Sequence, residues 1–514
     1  MAHILILNWE ELRNNRLYDW LLAARSFSSD RFQTVTRSTT YSSTVTAPAR
    51  DNASLGRMLM RTWSLAGPPI AHLPRELVNL VVGHLKEDKD ALASCTLVSQ
   101  YWRDSARPLL FRTIFILHDH HVTRKAQYER CGGDRFPVDA FLKFLHDPPS
   151  ISVDVPFLIK VLKVSNHWAS MDNAILDVAD LDLVLAKLPA LEELVLRHIS
   201  LRSVQHGTVL HGWSHPKALA KLVLYGVSME LPSGATPRDN GAAECAFVEF
   251  FSLFGTVKIM QITNVAPWFE EDDARVWLYW DEEDETKAAV SGIPLALRVQ
   301  QLRLEFDPYC WTVFTSQADI LQLLRYSASL RGLQSLQITE EPDVVHAVLQ
   351  DVGNELYFLG LGVYTAENEY SALDVYGVSL CTSLSSCELN LQDIGCSDST
   401  TDFGLLLSVI NHVPSTVSYL TINIRFREQR EHEAIGADGV TLDYLARMDW
   451  KKLEAMLIER PALLLLTFKF SVLSWDAKAN RDHSREIAFI QEQLPMLVKK
   501  RLLGFECTEI PRSP

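Results

Sequence analysis

The sequence has little of what marks a metal-binding, nucleic-acid-binding or membrane-spanning chain. None of its eight cysteines forms a CxxC pair in 514 residues, a usage typical of reduced thiols in a reducing compartment. Basic residues number 49 against 64 acidic ones, so the chain lacks the excess of Lys and Arg that phosphate contacts require. No apolar run approaches the roughly 20 residues that cross a bilayer. We therefore expect no nucleic-acid partner and no membrane insertion.

Catalytic motifs are equally scarce. The sequence contains no Gly-x-x-x-x-Gly-Lys-Ser/Thr phosphate loop, no Gly-x-Gly-x-x-Gly turn and no Gly-x-Ser-x-Gly nucleophile elbow. Two loose histidine groups, within residues 118–121 and 206–215, lack the i, i+4 spacing on a predicted helix that zinc sites often use. We expect no enzymatic activity, no metal and no cofactor. The N-terminus lacks the basic start and cleavage site of a secretory signal, which predicts a cytoplasmic protein, a nuclear one, or both.

What is present is a dense apolar pattern between Ile70 and Phe111. Pro74 predicts a helix start, because proline has no N–H to lose in a first turn. The helix that follows carries one apolar face and two apolar flanks, which is too much of its circumference for a helix with a single buried stripe. The face consists of Leu77, Val81 and Leu85, and the flanks of Leu80, Val78 and Val82.

Two further helices are predicted in the same stretch. Asp90 is the predicted N-cap of the second helix, and Pro108 is expected to limit a short third segment. The second helix places four residues on one face: Leu92, Cys95, Val98 and Trp102. Because about forty residues bury too little surface to make a core of their own, the second apolar face of this unit predicts a partner that covers it.

This stretch resembles an F-box, particularly those of a large fungal group. The matching order is Leu73-Pro74-x-Glu76-Leu77, Leu85, Leu92, Leu97-Val98, Trp102 and Leu109 to Phe111. One departure is Ser99, where the family often carries cysteine, and we expect little consequence. The resemblance implies docking onto a Skp-type adaptor and, through it, onto a cullin–RING ubiquitin ligase. It implies adaptor-facing or bundle-core roles, which the sequence does not separate, for Leu73, Pro74, Leu77, Val81, Leu85, Leu92, Val98 and Trp102. The alternative is a small helical cap on the repeats that follow.

After Phe111 a unit of the form apolar-x-x-apolar-x-apolar recurs to the C-terminus. Clear copies are Leu191-Leu194-Leu196, Leu219-Leu222-Leu224 and Leu356-Leu359-Leu361. The last two apolar positions alternate as in a half-buried strand, and helix-like stretches separate the copies. Strand then helix, repeated, predicts a parallel solenoid in which each repeat packs against its neighbours.

The repeats resemble a leucine-rich-repeat array, although their spacing is irregular. The Asn or Cys that usually closes the turn is replaced by Ile199, Val227, Asp307 and Arg425. The predicted fold class is α/β: a short three-helix F-box followed by an irregular leucine-rich-repeat-like α/β solenoid of parallel strands alternating with helices. A doubly wound α/β sheet with a topological switch point is the alternative. The predicted organisation is a largely disordered tail over 1–66, the F-box over 67–111, the repeats over 112–508 and a C-terminal tail over 509–514.

The resulting functional hypothesis is a substrate-recognition subunit, in which the F-box binds the adaptor and the repeats bind a protein target. Target contacts are expected at the strand residue between two inward apolar positions: Lys163, Gln261, Arg303, Gln337 and Asn390, together with Val195, Val223 and Thr421. A repeat-based interaction scaffold without ligase recruitment is the alternative. Residues 267–286 surround Val276 to Trp280 with acidic side chains, which indicates either an acidic arm for a basic partner or a surface loop folded onto the repeats.

Overall fold

A computed structural model describes most of the chain, and its described residues form two compact units. The first unit holds residues 74–117, 137–146, 154–163 and 188–190, and the second holds 118, 164–187 and the described residues from 191 onward. The described ranges are 74–118, 137–146, 154–166, 174–203, 212, 214–230, 241–267, 296–305, 318–363, 374–394, 403–427, 442, 445–473 and 483–510. The predicted N-terminal tail and the acidic segment from residue 268 lie outside these ranges.

Three helices open the first unit, and together they are called the three-helix segment: α1 (Arg75–His84), α2 (Lys89–Val98) and α3 (Gln100–Leu110). Asp88, and not the predicted Asp90, is the N-cap of α2, since its carboxylate accepts a hydrogen bond from the Ala91 N–H at 2.9 Å. Ser99 adopts an extended conformation and caps α3, so the second helix ends there. The sequence pattern had predicted one helix continuing to Trp102.

The core of the three-helix segment is small. Its buried members are Val78, Val82, Leu92, Cys95 and Ala106, and the partly buried residues packed against them are Leu85, Tyr101, Trp102, Leu109 and Leu110. The ammonium group of Lys89 donates to the carbonyl oxygens of Leu109 and Leu110 at 2.6 and 3.0 Å, which ties α2 to the end of α3. Pro108 lies inside α3, so the prediction that it limits the third helix is wrong.

The rest of the first unit follows α3 directly. It contains β1 (Thr113–His118), α4 (Pro137–His146), a 3₁₀ turn at Val155–Phe157 and the start of β2 (Val161–Asn166). The Arg107 guanidinium donates to Asp154 at 2.7 Å, and the N–H groups of Lys160 and Val161 both donate to the Arg112 carbonyl oxygen. Helix α4 was not predicted from the sequence.

The second unit alternates parallel strands with helices, as the repeat pattern predicts. Its strands are β3 (Ala174–Asp177), β4 (Glu193–Arg197), β5 (Ile199–Arg202), β6 (Lys217–Tyr225), β7 (Ser228–Glu230), β8 (Phe254–Thr263), β9 (Ala266–Pro267), β10 (Arg298–Glu305), β11 (Ser335–Ile338), β12 (Phe358–Val363), β13 (Ser386–Ile394), β14 (Tyr419–Arg427), β15 (Leu465–Leu473) and β16 (Leu503–Ile510). Its helices are α5 (Val178–Lys187), α6 (Gly241–Ser252), α7 (Ala318–Tyr326), α8 (Pro342–Val352), α9 (Phe403–His412), α10 (Trp450–Ile458), α11 (Ser484–Gln493) and α12 (Pro495–Lys499).

In this unit the main sheet adds its strands in chain order, β4-β6-β8-β10-β11-β12-β13-β14-β15-β16. A doubly wound sheet needs a point where that order reverses, and the described strands show none, so the alternative fold is excluded for them. The apolar positions that define the repeats are buried in successive strands. Examples in register are Leu389, Ile422 and Phe468, all with no exposed surface.

A second, four-stranded parallel sheet, β3-β5-β7-β9, was not predicted. The chain turns into β5, β7 and β9 through a residue in the left-handed region, which is His198 (φ 53°), Gly226 (φ 58°) and Asn264 (φ 49°) respectively. A buried apolar residue follows each of these turns: Ile199, Val227 and Val265. Ile199 and Val227 are the residues that replace the usual Asn or Cys, so in these repeats the corner is filled by apolar packing.

Candidate protein-binding surfaces

The three-helix segment exposes four large apolar side chains, which are called the exposed apolar set. Leu77 and Leu80 on α1 are 47% and 59% exposed, and Leu97 and Val98 at the end of α2 are 53% and 40% exposed. The cause is visible on α1. Val78 and Val82 take the buried face, so the apolar residues outside that face have no core left to enter.

The residues that the F-box resemblance singled out separate into distinct environments. Leu92 is fully enclosed, Leu85 and Trp102 pack partly against the core, and Val81 is half-buried. Three are exposed: Pro74, Leu77 and Val98. Leu73 lies outside the described residues. The resemblance did not divide the roles of these residues, whereas the structure separates interior packing from exposed surface.

Sequence reasoning also misplaced some residues of this segment. Val78 and Val82 were assigned to the flanks of α1, yet they form its buried face. Leu80 and Leu97 were not among the selected adaptor residues, although they are the most exposed of the four apolar side chains. The available signal in the sequence was Leu80 on the flank of α1, because a leucine beyond those that a small core can cover must face outward.

The second candidate surface is the face of the main sheet opposite the buried apolar rows. One residue of each strand falls in register there to form a continuous middle row. Its members are Val195, Val223, Gln261, Arg303, Gln337, Gly360, Glu388, Thr421, Thr467 and Gly504. The predicted residues Gln261, Arg303 and Gln337 are therefore direct neighbours on adjacent strands β8, β10 and β11.

Exposure varies along the middle row. Val195, Val223 and Thr467 are buried, Gln261, Gln337, Glu388 and Thr421 are half-buried, and Arg303 is exposed. Arg303 is thus the side chain of this row with the greatest freedom to meet another molecule. The central stretch around it combines two amides with one cation, which is chemistry suited to hydrogen bonding with a polar polypeptide.

Asn390 does not belong to that row. It lies two residues beyond Glu388 on β13, pairs in register with Asn423, and is only 1% exposed. The Asn423 amide donates to the Asn390 oxygen at 2.7 Å and lies 3.2 Å from a Glu388 carboxylate oxygen, while Ser471 donates to the Asn423 oxygen at 2.9 Å. Asn390 is therefore not exposed for the target contact that the strand pattern predicts, because this polar ladder occupies its side chain.

Lys163, the remaining predicted contact residue, lies in the first unit. Its ammonium group is 5.0 Å from the centre of the Phe115 ring, within the range of a cation–π contact. Phe115 itself is exposed. Within the first unit, the described contact of the Lys163 ammonium group is therefore with the Phe115 ring.

Two cysteine thiols of the second unit are enclosed, Cys381 and Cys387. Burial raises the pKa of the Cys381 thiol to about 12, and burial also raises the pKa of the Cys387 thiol; both are inert at neutral pH. Among the described residues no group of three or more His, Cys, Asp or Glu side chains could hold a metal ion. None of the described helices is long and apolar enough to span a membrane.

No protein-family model matches the sequence, and no curated protein matches it. Among solved structures, the crystal structure of the leucine-rich repeat-containing protein LegL7 from Legionella pneumophila aligns with 74% of this chain and 97% of its own. The identity is 13% and the TM-score 0.34, values too low to carry an argument about function.

Proposed function

We propose that this chain is a substrate-recognition subunit of a Skp–cullin–F-box ubiquitin ligase. In this proposal the three-helix segment binds a Skp-type adaptor and the middle row of the sheet binds a protein target. The chain holds the target near a ubiquitin-loaded partner and so raises its effective concentration, with no covalent chemistry of its own. It would act in the cytoplasm, the nucleus or both.

The exposed apolar set is the observation that carries the proposal. Apolar side chains standing singly on a surface are ordinary, but Leu77, Leu80, Leu97 and Val98 all lie within one short helical segment. Burying such side chains against a partner stabilises a complex by roughly 1.5–3 kcal/mol each when burial is complete. The F-box resemblance supplies the identity of that partner, because it places a Skp-type adaptor against the same helices.

Adaptor binding can be tested by co-purifying a fungal Skp-type adaptor with the full chain. The variant Leu80→Asp with Leu97→Asp puts two charges where the proposed contact excludes water, so we expect binding to fall at least about tenfold. The matched control is Asn79→Asp with Gln100→Glu, which adds the same charge at exposed positions of α1 and α3 and should bind normally. Equal binding by wild type and both variants would remove the adaptor from the proposal.

Target binding needs a separate experiment. Replacing Gln261, Arg303 and Gln337 together by alanine should reduce recovery of target proteins when the ligase is inhibited, while adaptor binding persists. A control with Lys451, Lys452 and Arg485 replaced by alanine changes exposed residues on α10 and α11 and should leave recovery intact. Unchanged recovery with the sheet variant would show that the middle row is not the target surface.

A repeat-based scaffold without ligase recruitment is the second candidate. The observation in its favour is that the second unit forms an ordered array of parallel strands regardless of what α1 to α3 bind. A chain that recovers partner proteins through the middle row, yet never recovers a Skp-type adaptor, would have this function.

A further inference from the structure

The strands β12, β13 and β14 carry two aromatic side chains on either side of a serine where they begin. Phe358, Ser386 and Tyr419 are the first residues of these strands and lie in register on neighbouring strands. Each comes directly before a buried inward residue of its strand, so all three side chains point to the same face as the middle row. Tyr419 is 49% exposed, and Phe358 and Ser386 are half-buried. The space between the two rings is called the aromatic cleft.

The width of the aromatic cleft fits one inserted side chain. Neighbouring strands lie about 4.8 Å apart, so the Cα atoms of Phe358 and Tyr419 are separated by roughly 9–10 Å across β13. A group midway between them is about 5 Å from each aromatic side chain, which is within the range of a cation–π contact. Ser386 lies between the rings, and its side chain is too short to fill this space.

Glu388 closes one end of the aromatic cleft. It lies two residues beyond Ser386 on β13, so its side chain is on the same face, about 7 Å further along the strand. The Asn423 amide donates to the Glu388 Oε1 atom at 3.2 Å and holds the carboxylate in place. Among the described residues, none donates a hydrogen bond to the Oε2 atom, which leaves that oxygen as an acceptor for a ligand.

Gly360 brings the Phe358 ring close to this carboxylate. Gly360 is the register partner of Glu388 on β12. A Cβ atom added at Gly360 would lie 3.4 Å from the Cε1 atom of the Phe358 ring, so the ring already extends over this position. The ring and the carboxylate therefore border the same part of the cleft, because residue 360 has no side chain to separate them.

The chemistry of the aromatic cleft favours a cation. An apolar side chain inserted between the rings would bury Glu388 without a partner, which costs free energy, and an acidic side chain would be repelled. Within the described part of the sheet no cation forms an ion pair with Glu388: on this face Arg303 lies three strands away and Lys469 two strands away. The net charge of −15 also attracts basic partners over a longer range.

We propose that an arginine side chain of the protein target enters the aromatic cleft. Its guanidinium plane lies between the rings of Phe358 and Tyr419, and one of its N–H groups donates to Glu388. Arginine fits better than lysine, because a planar guanidinium stacks on aromatic faces while it donates hydrogen bonds, whereas an ammonium group is a compact and strongly hydrated point charge. This inference rests on the proposed binding of a protein target by the repeats, and it names the side chain that the target presents.

Peptide binding to the full chain tests the ligand chemistry. The probe is the peptide acetyl-Gly-Ser-Arg-Ser-Gly-amide, and saturation-transfer NMR measures its Kd, which we expect to be roughly millimolar for a single anchoring side chain. Replacing arginine by citrulline keeps the shape but removes the charge and should weaken binding at least about tenfold. Replacing it by lysine should weaken binding about threefold. Equal affinity for the arginine and citrulline peptides, tighter binding of the lysine peptide, or no binding at all would overturn the proposal.

Variants of the chain test the position of the site. Glu388→Gln keeps the oxygen that accepts from Asn423 and should weaken the arginine peptide at least about tenfold. Tyr419→Leu should weaken it about threefold, whereas Tyr419→Phe retains the ring and should bind normally. The matched control is Glu459→Gln, which makes the same change of charge at an exposed position after α10 and should have no effect. Undiminished binding by Glu388→Gln, or an equal loss in Glu459→Gln, would contradict the site.

The peptide experiment separates this inference from the proposed function, because it uses the chain without adaptor or ligase. If the arginine peptide binds as expected while no Skp-type adaptor is recovered, the aromatic cleft is supported and ligase recruitment is wrong. If target recovery depends on Gln261, Arg303 and Gln337 while Glu388→Gln changes neither recovery nor peptide binding, the target surface is supported and the arginine site is wrong.

Discussion

The three-helix segment and the main sheet contain similar apolar residues but bury them to different degrees. On α1, Leu80 is 59% exposed two positions away from the enclosed Val78 and Val82, whereas in the sheet Leu389, Ile422 and Phe468 have no exposed surface. The sheet achieves this because each strand is covered by its neighbours and by helices of the repeats. The three helices over Arg75–Leu110 form only a small core among the described residues, and four large apolar side chains outside it stay exposed. The difference shows that an apolar pattern predicts burial only when the fold supplies enough surrounding chain.

The largest loss of stability is expected in the sheet. Phe468→Ala removes a fully buried ring that also packs near Trp450 at a centroid distance of 5.9 Å. We expect the free energy of unfolding of the second unit to fall by about 3–5 kcal/mol, because a cavity adds to the lost transfer energy. Chemical denaturation followed by hydrogen exchange at β14 and β15 measures this.

The control for that variant lies on the opposite face of the same sheet. Gln337 is half-buried in β11, so Gln337→Ala should change the free energy of unfolding by no more than about 0.5 kcal/mol. Comparable losses for the two variants would mean that the two faces of the sheet are not distinguished as burial indicates.

A smaller effect is expected within the three-helix segment. Leu92→Ala empties the centre of its core and should destabilise the segment by about 2–3 kcal/mol, near the lower limit for buried leucine because a small core can relax. Leu80→Ala removes a side chain of the same size from an exposed position of α1 and should change stability by less than about 0.5 kcal/mol. Hydrogen exchange of amides in α1 to α3 measures both.

The outcome of that pair tests the comparison itself. If Leu80→Ala destabilised the segment as much as Leu92→Ala, the exposed apolar set would be part of the segment's own packing. The proposed partner surface on α1 and α2 would then lose its support, independently of any binding experiment.

Much of the second unit was predictable because its signal is repeated. Residues such as Leu222 and Leu336 fall at the same place of the same pattern, and both are fully buried on strands. The neighbours Gln261, Arg303 and Gln337 were identified for the same reason: a residue between two inward positions must point to the other face. Periodicity determines the face of a strand without knowledge of the tertiary contacts.

The errors arose where a neighbouring element decides the environment. Asn390 satisfies the same periodicity, but the amide of Asn423 on the next strand engages it, and no pattern within β13 announces that bond. The end of the helix before α3 depends on the Ser99 cap. The apolar pattern did not reveal this end, because the pattern continues across it. On α1, the choice between Val78 and Leu77 as the inward residue depends on where α3 packs. These are tertiary effects that a local pattern does not contain.

The last and smallest effect concerns Cys95 and Cys381, two buried thiols through which the two regions can be compared directly. Burial raises the pKa of Cys95 in the three-helix core and raises that of Cys381 in the second unit to about 12, so both folded thiols stay protonated where an unfolded one, with an ordinary value near 9.0, would ionise. Above pH 9 the unfolded chain therefore holds fewer protons than the folded one, and the stability that Cys381 contributes is lost as pH rises from 9 to about 12.

At neutral pH alkylation of a buried thiol requires local opening of the fold, which costs less free energy in a small core than in a long sheet. Timed alkylation read by mass spectrometry should modify Cys95 at least about tenfold faster than Cys381, with exposed Cys507 as the fast reference. Equal rates for Cys95 and Cys381 would mean that the three-helix segment opens no more readily than the sheet.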